Sequence, residues 1–295
     1  DGIKRDRWVW SGDAAQSYLM SFYLFFDKDV VKRTIIALRG KDPVETYINH
    51  IVDYSYYWLI SIYNYYMYTG DKEFVKFIYP RMVTLADYCI QNLNKNGFAE
   101  GRSQDWVFLD WAPFDHKGEM SAYQLLFVRS MEAMAECSGI AGDDVRKKQY
   151  SEKAEELKKK TFDIFWDKKQ NLFLHNRVNN VLKKDITRYP NIFSMLFGYL
   201  DEKQVQSVKT NVLENDSVLK ITTPYMRFYE LAALCEAGSQ KSVMKEMLQY
   251  WGGMIKLGAT SFWEVYDPTE KGLQHLAMYG RPFGRSLCHS WGASP

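Results

Sequence analysis

Over most of this 295-residue chain, apolar side chains return at the spacing of a helix face, and the helices so marked are joined alternately by tight turns and long polar loops. That rhythm limits the chain to packed helices. Asp13 is placed to cap a helix running through Ala14, Ser17, Tyr18, Phe22, Phe25 and Phe26. Pro43 suits the first turn of a long amphipathic stretch ending at Gly70, a natural residue for the left-handed position after a helix. Asp71 opens a helix lasting to about Leu93 and stopped by Asn96-Gly97. Helical patterning resumes over Glu119–Ser138 and Asp143–Phe165, then near 190–200, 201–213, 224–237 and 239–255, with a last candidate from Phe283 onward. Between Trp166 and Tyr189 the chain is irregular, with a short hairpin expected around Val178-Asn179-Asn180-Val181.

Helix pairs with tight turns at one end and long loops at the other build an all-α (α/α)6 toroid, in which functional residues gather on the long loops. Three polar, Trp-containing loops fit that role, at 1–13, 98–116 and 258–282. About ten helices are legible where six pairs need twelve, so the ring is expected to be incomplete at its N-terminal end, with the missing helices before Asp1. No Pro- or Ser-rich linker interrupts the pattern, so residues 1–295 read as one partial helical domain.

Charge and cysteine usage narrow the function. A net charge of +2 without a basic stripe gives no reason to expect a nucleic-acid partner. Lys158-Lys159-Lys160 lies among acids, as on a solvated helix face. No apolar run is long enough to span a bilayer. Cys89, Cys137, Cys235 and Cys288 are widely spaced, and His50, His116, His175 and His275 show no ligand spacing; neither a zinc site, a disulfide framework nor a cofactor is indicated. The aromatic content of 16% serves a helical core and also suits a sugar cleft, where a pyranose stacks on a flat ring. Localisation and oligomeric state are not legible.

The loop from Asp1 to Asp13 packs carboxylates at 1, 6 and 13 beside Arg5, Arg7, Trp8 and Trp10. Glycoside hydrolysis needs one carboxyl kept protonated and another kept ionised. Neighbouring arginines favour the ionised form, and an adjacent Trp that desolvates a carboxyl favours the protonated one. The plainer alternative is a loop of solvated charges ending in a helix cap. Gly258-Ala259-Thr260-Ser261-Phe262-Trp263-Glu264 sets one carboxylate among large aromatics past a helix end, or else plugs the core beneath it. Asp105-Trp106 and Asp110-Trp111 are two acid–Trp pairs on one loop, suited to binding a sugar and equally to loop packing. His289 falls on the last helical pattern, where a lone His is more often structural.

At these residues the chain resembles the α-L-rhamnosidases of glycoside hydrolase family 78. Asp1 to Asp13 is similar to a signature loop running Asp, then Arg-(Asp)-Glu-Arg, then Trp-x-Gly-Asp; Gly258 to Glu264 resembles a Gly-Ala-Thr-x-x-Trp-Glu motif; and Ser286 to Gly292 resembles a terminal Ser-Leu-x-His motif. Thr223 to Glu230 and Val52 to Ser55 also read like family segments, so the resemblance covers essentially the whole chain. It implies that 1–295 is a partial catalytic (α/α)6 barrel without the β-sandwich domains that family members often carry. It also implies that the barrel removes terminal α-L-rhamnose from an oligosaccharide, polysaccharide or glycoside by single displacement with inversion. Glu264 takes the general-base position, and Asp6 falls where the family has its general-acid Glu. Asp1, Arg5, Asp13, Asp105, Trp106, Trp263 and His289 take substrate-binding positions. Inversion implies a carboxyl separation of about 6.5–9.5 Å.

Asp6 departs from the family's Glu. One methylene fewer sets the carboxyl about 1.5 Å back unless the loop advances, and a misplacement of that order costs about a hundredfold in rate. Two other readings therefore stand beside a working rhamnosidase: a rhamnoside-binding pseudoenzyme, and an α/α-barrel hydrolase acting on another sugar.

Overall fold

The computed structural model describes residues 9–293. The chain divides into two compact units. An N-terminal unit takes Trp10–Leu109 and Phe114–Ile186, and a C-terminal unit is built on Asp110–Pro113 and the residues from Thr187 onward.

The N-terminal unit is six helices, α1 (Ser11–Leu24), α2 (Lys28–Arg39), α3 (Val52–Thr69), α4 (Lys72–Gln91), α5 (Ser121–Ala141) and α6 (Asp144–Phe165). They alternate in character. α3 and α5 are buried along most of their length, and α1, α3 and α5 pack successively on one another. α6 buries a single stripe, Tyr150, Ala154, Leu157, Thr161 and Phe165, against α5. Its outer face carries ion pairs one turn apart, Lys153–Glu156, Lys158–Glu155 and Lys160–Glu156, as the alternating charges there implied. Odd helices thus form an inner layer and even helices an outer one, the arrangement of α-hairpins expected from the sequence.

Helix ends follow local chemistry. Asp71 and Asp143 accept from the Phe74 and Arg146 amides to cap α4 and α6, each such cap contributing about 1 kcal/mol. Gly70 takes the left-handed conformation that closes α3. The hairpin also forms as expected: β4 (Asn176–Val178) and β5 (Val181–Leu182) turn through Asn179 and Asn180, both at positive φ, and β4 pairs with β1 (Glu119–Met120). A second small pair joins β2 (Trp166–Asp167) to β3 (Leu172–Phe173).

The C-terminal unit holds α7 (Arg188–Leu196), α8 (Glu202–Val208), α9 (Pro224–Glu236) and α10 (Gln240–Lys256). α7 packs on α9 and α9 on α10. Thr223 caps α9, with Pro224 in its first turn. The irregular loop before α9 is gripped by the buried guanidinium of Arg188, which donates to the carbonyls of Leu213, Asn215, Val218 and Leu219 and to Glu230.

Three boundary expectations need correction. Asp13 is not a cap but lies inside α1, its carboxylate accepting from the Tyr54 hydroxyl (3.1 Å). The stretch from Pro43 becomes α-helical only at Val52, after a 3-10 turn at Ile48–His50 in which Asn49 takes a positive φ, and α2, capped by Asp27, is a separate helix before it. No α-helix begins at Phe283: among the described residues after Gly258 only short 3-10 turns occur, and His289 is extended. The four cysteines are free thiols. No described helix is long and apolar enough to cross a membrane. At the end of α1 four consecutive apolar side chains stand in the open, Tyr23 (76% exposed), Leu24 (71%), Phe25 (80%) and Phe26 (50%).

Candidate active site

In the C-terminal unit the loop after α10 runs back along the segment that ends the chain. The Glu264 amide donates to the Ser286 carbonyl (2.9 Å) and the His289 amide to the Phe262 carbonyl (2.8 Å). This pairing explains why residues 283–289 are not helical: their side chains follow a helical pattern, yet the Ser286 carbonyl and the His289 amide are taken by the Glu264 segment. Trp291 locks the pair from below, its indole N–H donating to the Glu264 carbonyl (2.8 Å).

The Glu264 side chain is buried, 1% exposed. Each of its oxygens receives a neutral donor: the Tyr279 hydroxyl reaches Oε1 at 2.7 Å, and the Ser286 amide reaches Oε2 at 2.8 Å. These two bonds fix the orientation of the carboxylate. Trp263, its neighbour, turns elsewhere and lines a cavity of about 390 Å³ with Leu257, Ser261, His275, Leu276 and Leu287. His289 is buried with its ring on Trp291 (centroids 4.3 Å apart), and Trp291 stacks in turn on Tyr225 (4.9 Å).

Asp110 and Trp111 also belong to this unit. Asp110 accepts from the hydroxyls of Tyr189 (2.8 Å) and Thr223 (2.6 Å), and burial pushes its carboxyl up to about 7. Trp111 meets the Tyr279 ring edge-on at 5.3 Å. Tyr279 gave no signal in the sequence, because a Tyr before Gly280 reads as a turn and its contact to Glu264 arises only in the folded loop. The Asp110-Trp111 pair was visible as a motif, but its partners, 79 and 113 positions away, were not.

In the N-terminal unit the structure gathers Trp10, Asp13, Tyr54 and Trp106. The Trp10 ring stands edge-on to Tyr54 and to Trp106, both at 6.4 Å. Trp106 is 42% exposed and held by its backbone, its amide donating to the His50 carbonyl (2.8 Å). Asp105 instead staples the loop, its carboxylate clamped by Arg102 through Nε (2.7 Å) and Nη2 (2.9 Å). Asp1, Arg5 and Asp6, and with them the separation between Asp6 and Glu264, lie outside the described residues. Among the described residues no cluster of three or more His, Cys, Asp or Glu side chains is arranged to hold a metal ion.

Buried carboxylates and half-exposed tryptophans on the loops of an α-hairpin fold are features of a glycoside hydrolase, and comparison with known proteins gives the family. The chain belongs to the bacterial α-L-rhamnosidase six-hairpin glycosidase domain family, whose sequence model matches residues 1–295. Its fold is that of solved rhamnosidases. A rhamnosidase from Klebsiella oxytoca with rhamnose bound superposes with a TM-score of 0.83 at 22% identity, over 99% of this chain and 57% of that one. The GH78 family rhamnosidase of Bacillus sp. GL1 gives 0.82 at 20% identity, over 97% and 31%. The α-L-rhamnosidase from Dictyoglumus thermophilum gives 0.73 at 17% identity, over 98% and 33%. The chain thus spans between about a third and just over half of the length of these proteins. A comparison with curated protein sequences returned no match.

Proposed function

We propose that this chain is the catalytic domain of an inverting exo-α-L-rhamnosidase. The observation that carries the reading is the buried Glu264 carboxylate, with a neutral donor on each oxygen, at the residue that the motif resemblance makes the general base. In this mechanism Glu264 takes a proton from water as that water attacks the anomeric carbon. Asp6, from the opposite face, protonates the departing glycosidic oxygen, so a single displacement inverts the anomeric centre. Hydroxyl recognition and ring stacking fall to Asp1, Arg5, Asp13, Asp105, Trp106, Trp263 and His289 by the motif resemblance. Of these, Trp106 has the exposed ring a sugar face requires, while Asp105 acts through the loop that Arg102 fastens.

The test is release of p-nitrophenol from p-nitrophenyl α-L-rhamnopyranoside. Wild type is expected to turn over with β-rhamnose as the first anomer seen by NMR, and Glu264→Gln to lower kcat by about 10³-fold or more. An α-anomer as first product refutes inversion, and wild-type kinetics in Glu264→Gln refute the base assignment.

One residue favours a second reading. Asp6 stands where the family has Glu, and a retracted acid makes the chain a rhamnoside-binding protein that does not turn over. Rhamnose that raises the melting temperature without any hydrolysis, even of the 2,4-dinitrophenyl rhamnoside, selects that reading.

A further inference from the structure

Tyr279 is held in an uncommon backbone conformation on a tight turn. With φ at 55°, followed by Gly280 at 69°, it forms the first corner of a two-residue hairpin whose flanking residues, Met278 and Arg281, exchange amide–carbonyl hydrogen bonds of 3.0 Å. Turns of this kind favour Asn or Gly at that corner, and a bulky side chain there is disfavoured. The surroundings enforce it. The chain returns so close to the turn that a Cβ on Gly284 would stand 2.1 Å from the Met278 carbonyl oxygen. Arg285 then anchors the return through two bonds to Glu270 (2.6 and 2.9 Å). The next residue, Ser286, supplies the amide on Glu264 Oε2. One short segment, 278–286, therefore delivers two donors that fix the Glu264 carboxylate.

An outlier of this kind at a candidate site is a reason to look for its use. The Tyr279 ring is half exposed, 48%, so core packing does not account for it. Its hydroxyl ends 2.7 Å from Oε1 and its ring edge meets Trp111. We propose that Tyr279 is the positioning residue for the general base: its hydroxyl holds Oε1 so that a lone pair of the Glu264 carboxylate is aimed at the attacking water. The inference rests on the assignment of Glu264 as base. It is independent of whether Asp6 is the acid.

The experiment measures kcat and KM for the wild type, Tyr279→Phe and Tyr279→Ala on the p-nitrophenyl and 2,4-dinitrophenyl α-L-rhamnosides, with melting temperatures alongside. Phe keeps the ring against Trp111 and removes only the hydroxyl. The expected result is a kcat lowered by about ten- to a hundredfold in both variants, as for a small misplacement of a reacting group, with KM within about twofold. The defect is expected to be equal on the two substrates, since a better leaving group relieves a weakened acid but not a misaimed base. Phe restoring wild-type kcat shows that the ring matters and the hydroxyl does not, and overturns the inference alone. So does a change confined to KM, or a defect that the activated substrate relieves. A wild type inert on both substrates overturns the proposed function, and the inference with it. Should Tyr279→Ala fail to fold, Tyr279→Phe carries the test, because it removes a single oxygen from a half-exposed side chain.

Discussion

Burial disfavours the charge of two carboxylates, Asp53 and Asp110. Asp53 sits wholly inside the N-terminal unit; burial pushes its carboxyl up to about 7 from an ordinary 3.8, against hydrogen bonds from Tyr123 and from the Asp53 and Leu109 amides. Asp110 is raised to the same value in the C-terminal unit. Between pH 4 and 7 the folded chain holds these protons and the unfolded chain has released them, so their contribution to stability falls as pH rises through that window. His175, lowered by burial, works in the opposite direction. Glu119, whose burial is outweighed by Arg177, Asn96 and Asn94, loses its contribution only below its ordinary 4.5. Asp53→Asn isolates one member, because an amide keeps an oxygen for the Tyr123 hydroxyl (3.0 Å) and never ionises. Its melting temperature relative to wild type is expected to climb between pH 5 and pH 8, by about 2 °C for each kcal/mol relieved; an offset constant across that range contradicts the assignment. Neither role shows in the sequence. Asp13 likewise reads as a cap and is a buried acceptor for Tyr54, because burial and a partner 41 positions distant leave no local trace.

Elements were far easier to read than residues, since helical period, caps and turn residues are local. Asp71, Asp143, Gly70 and Asn179-Asn180 each act where their chemistry placed them. The failures have long-range causes: Phe283 onward carries a helical pattern but is drawn into pairing with the Glu264 segment. Gly252 and Gly253, both inside α10, separate local from tertiary effects. Propensity alone favours Ala at either by about 1 kcal/mol. A Cβ on Gly252 meets nothing within 4 Å, whereas on Gly253 it would lie 2.3 Å from the Tyr266 hydroxyl oxygen and 2.7 Å from its ring carbon. Tyr266 is buried between Tyr250 and His275 and has little room to move. Gly252→Ala is therefore expected to hold or raise the melting temperature, and Gly253→Ala to destabilise by about 1–3 kcal/mol through overpacking. Equal effects in denaturant unfolding would remove Tyr266 as the reason.

At the scale of the molecule, the all-helical class and the pairing of helices were legible because the helical period and the turns are written locally. Which helices lie inside was not, and the structure shows it in α3, buried along most of its length, against α6 with one buried stripe. The candidate site was legible only as motifs. Glu264 and Trp263 are adjacent in sequence, yet one faces Tyr279 and Ser286 and the other a separate cavity. The open row of Tyr23, Leu24, Phe25 and Phe26 bears on the chain as a colloid. Contiguous apolar surface attracts, and a net charge of +2 supplies little repulsion to oppose it. Sulfate strengthens such attraction by its exclusion from protein surface. Light scattering is therefore expected to report net attraction between copies of this chain, growing with ammonium sulfate and weakened in Phe25→Lys, so that this strip helps to set how concentrated a solution can be kept clear.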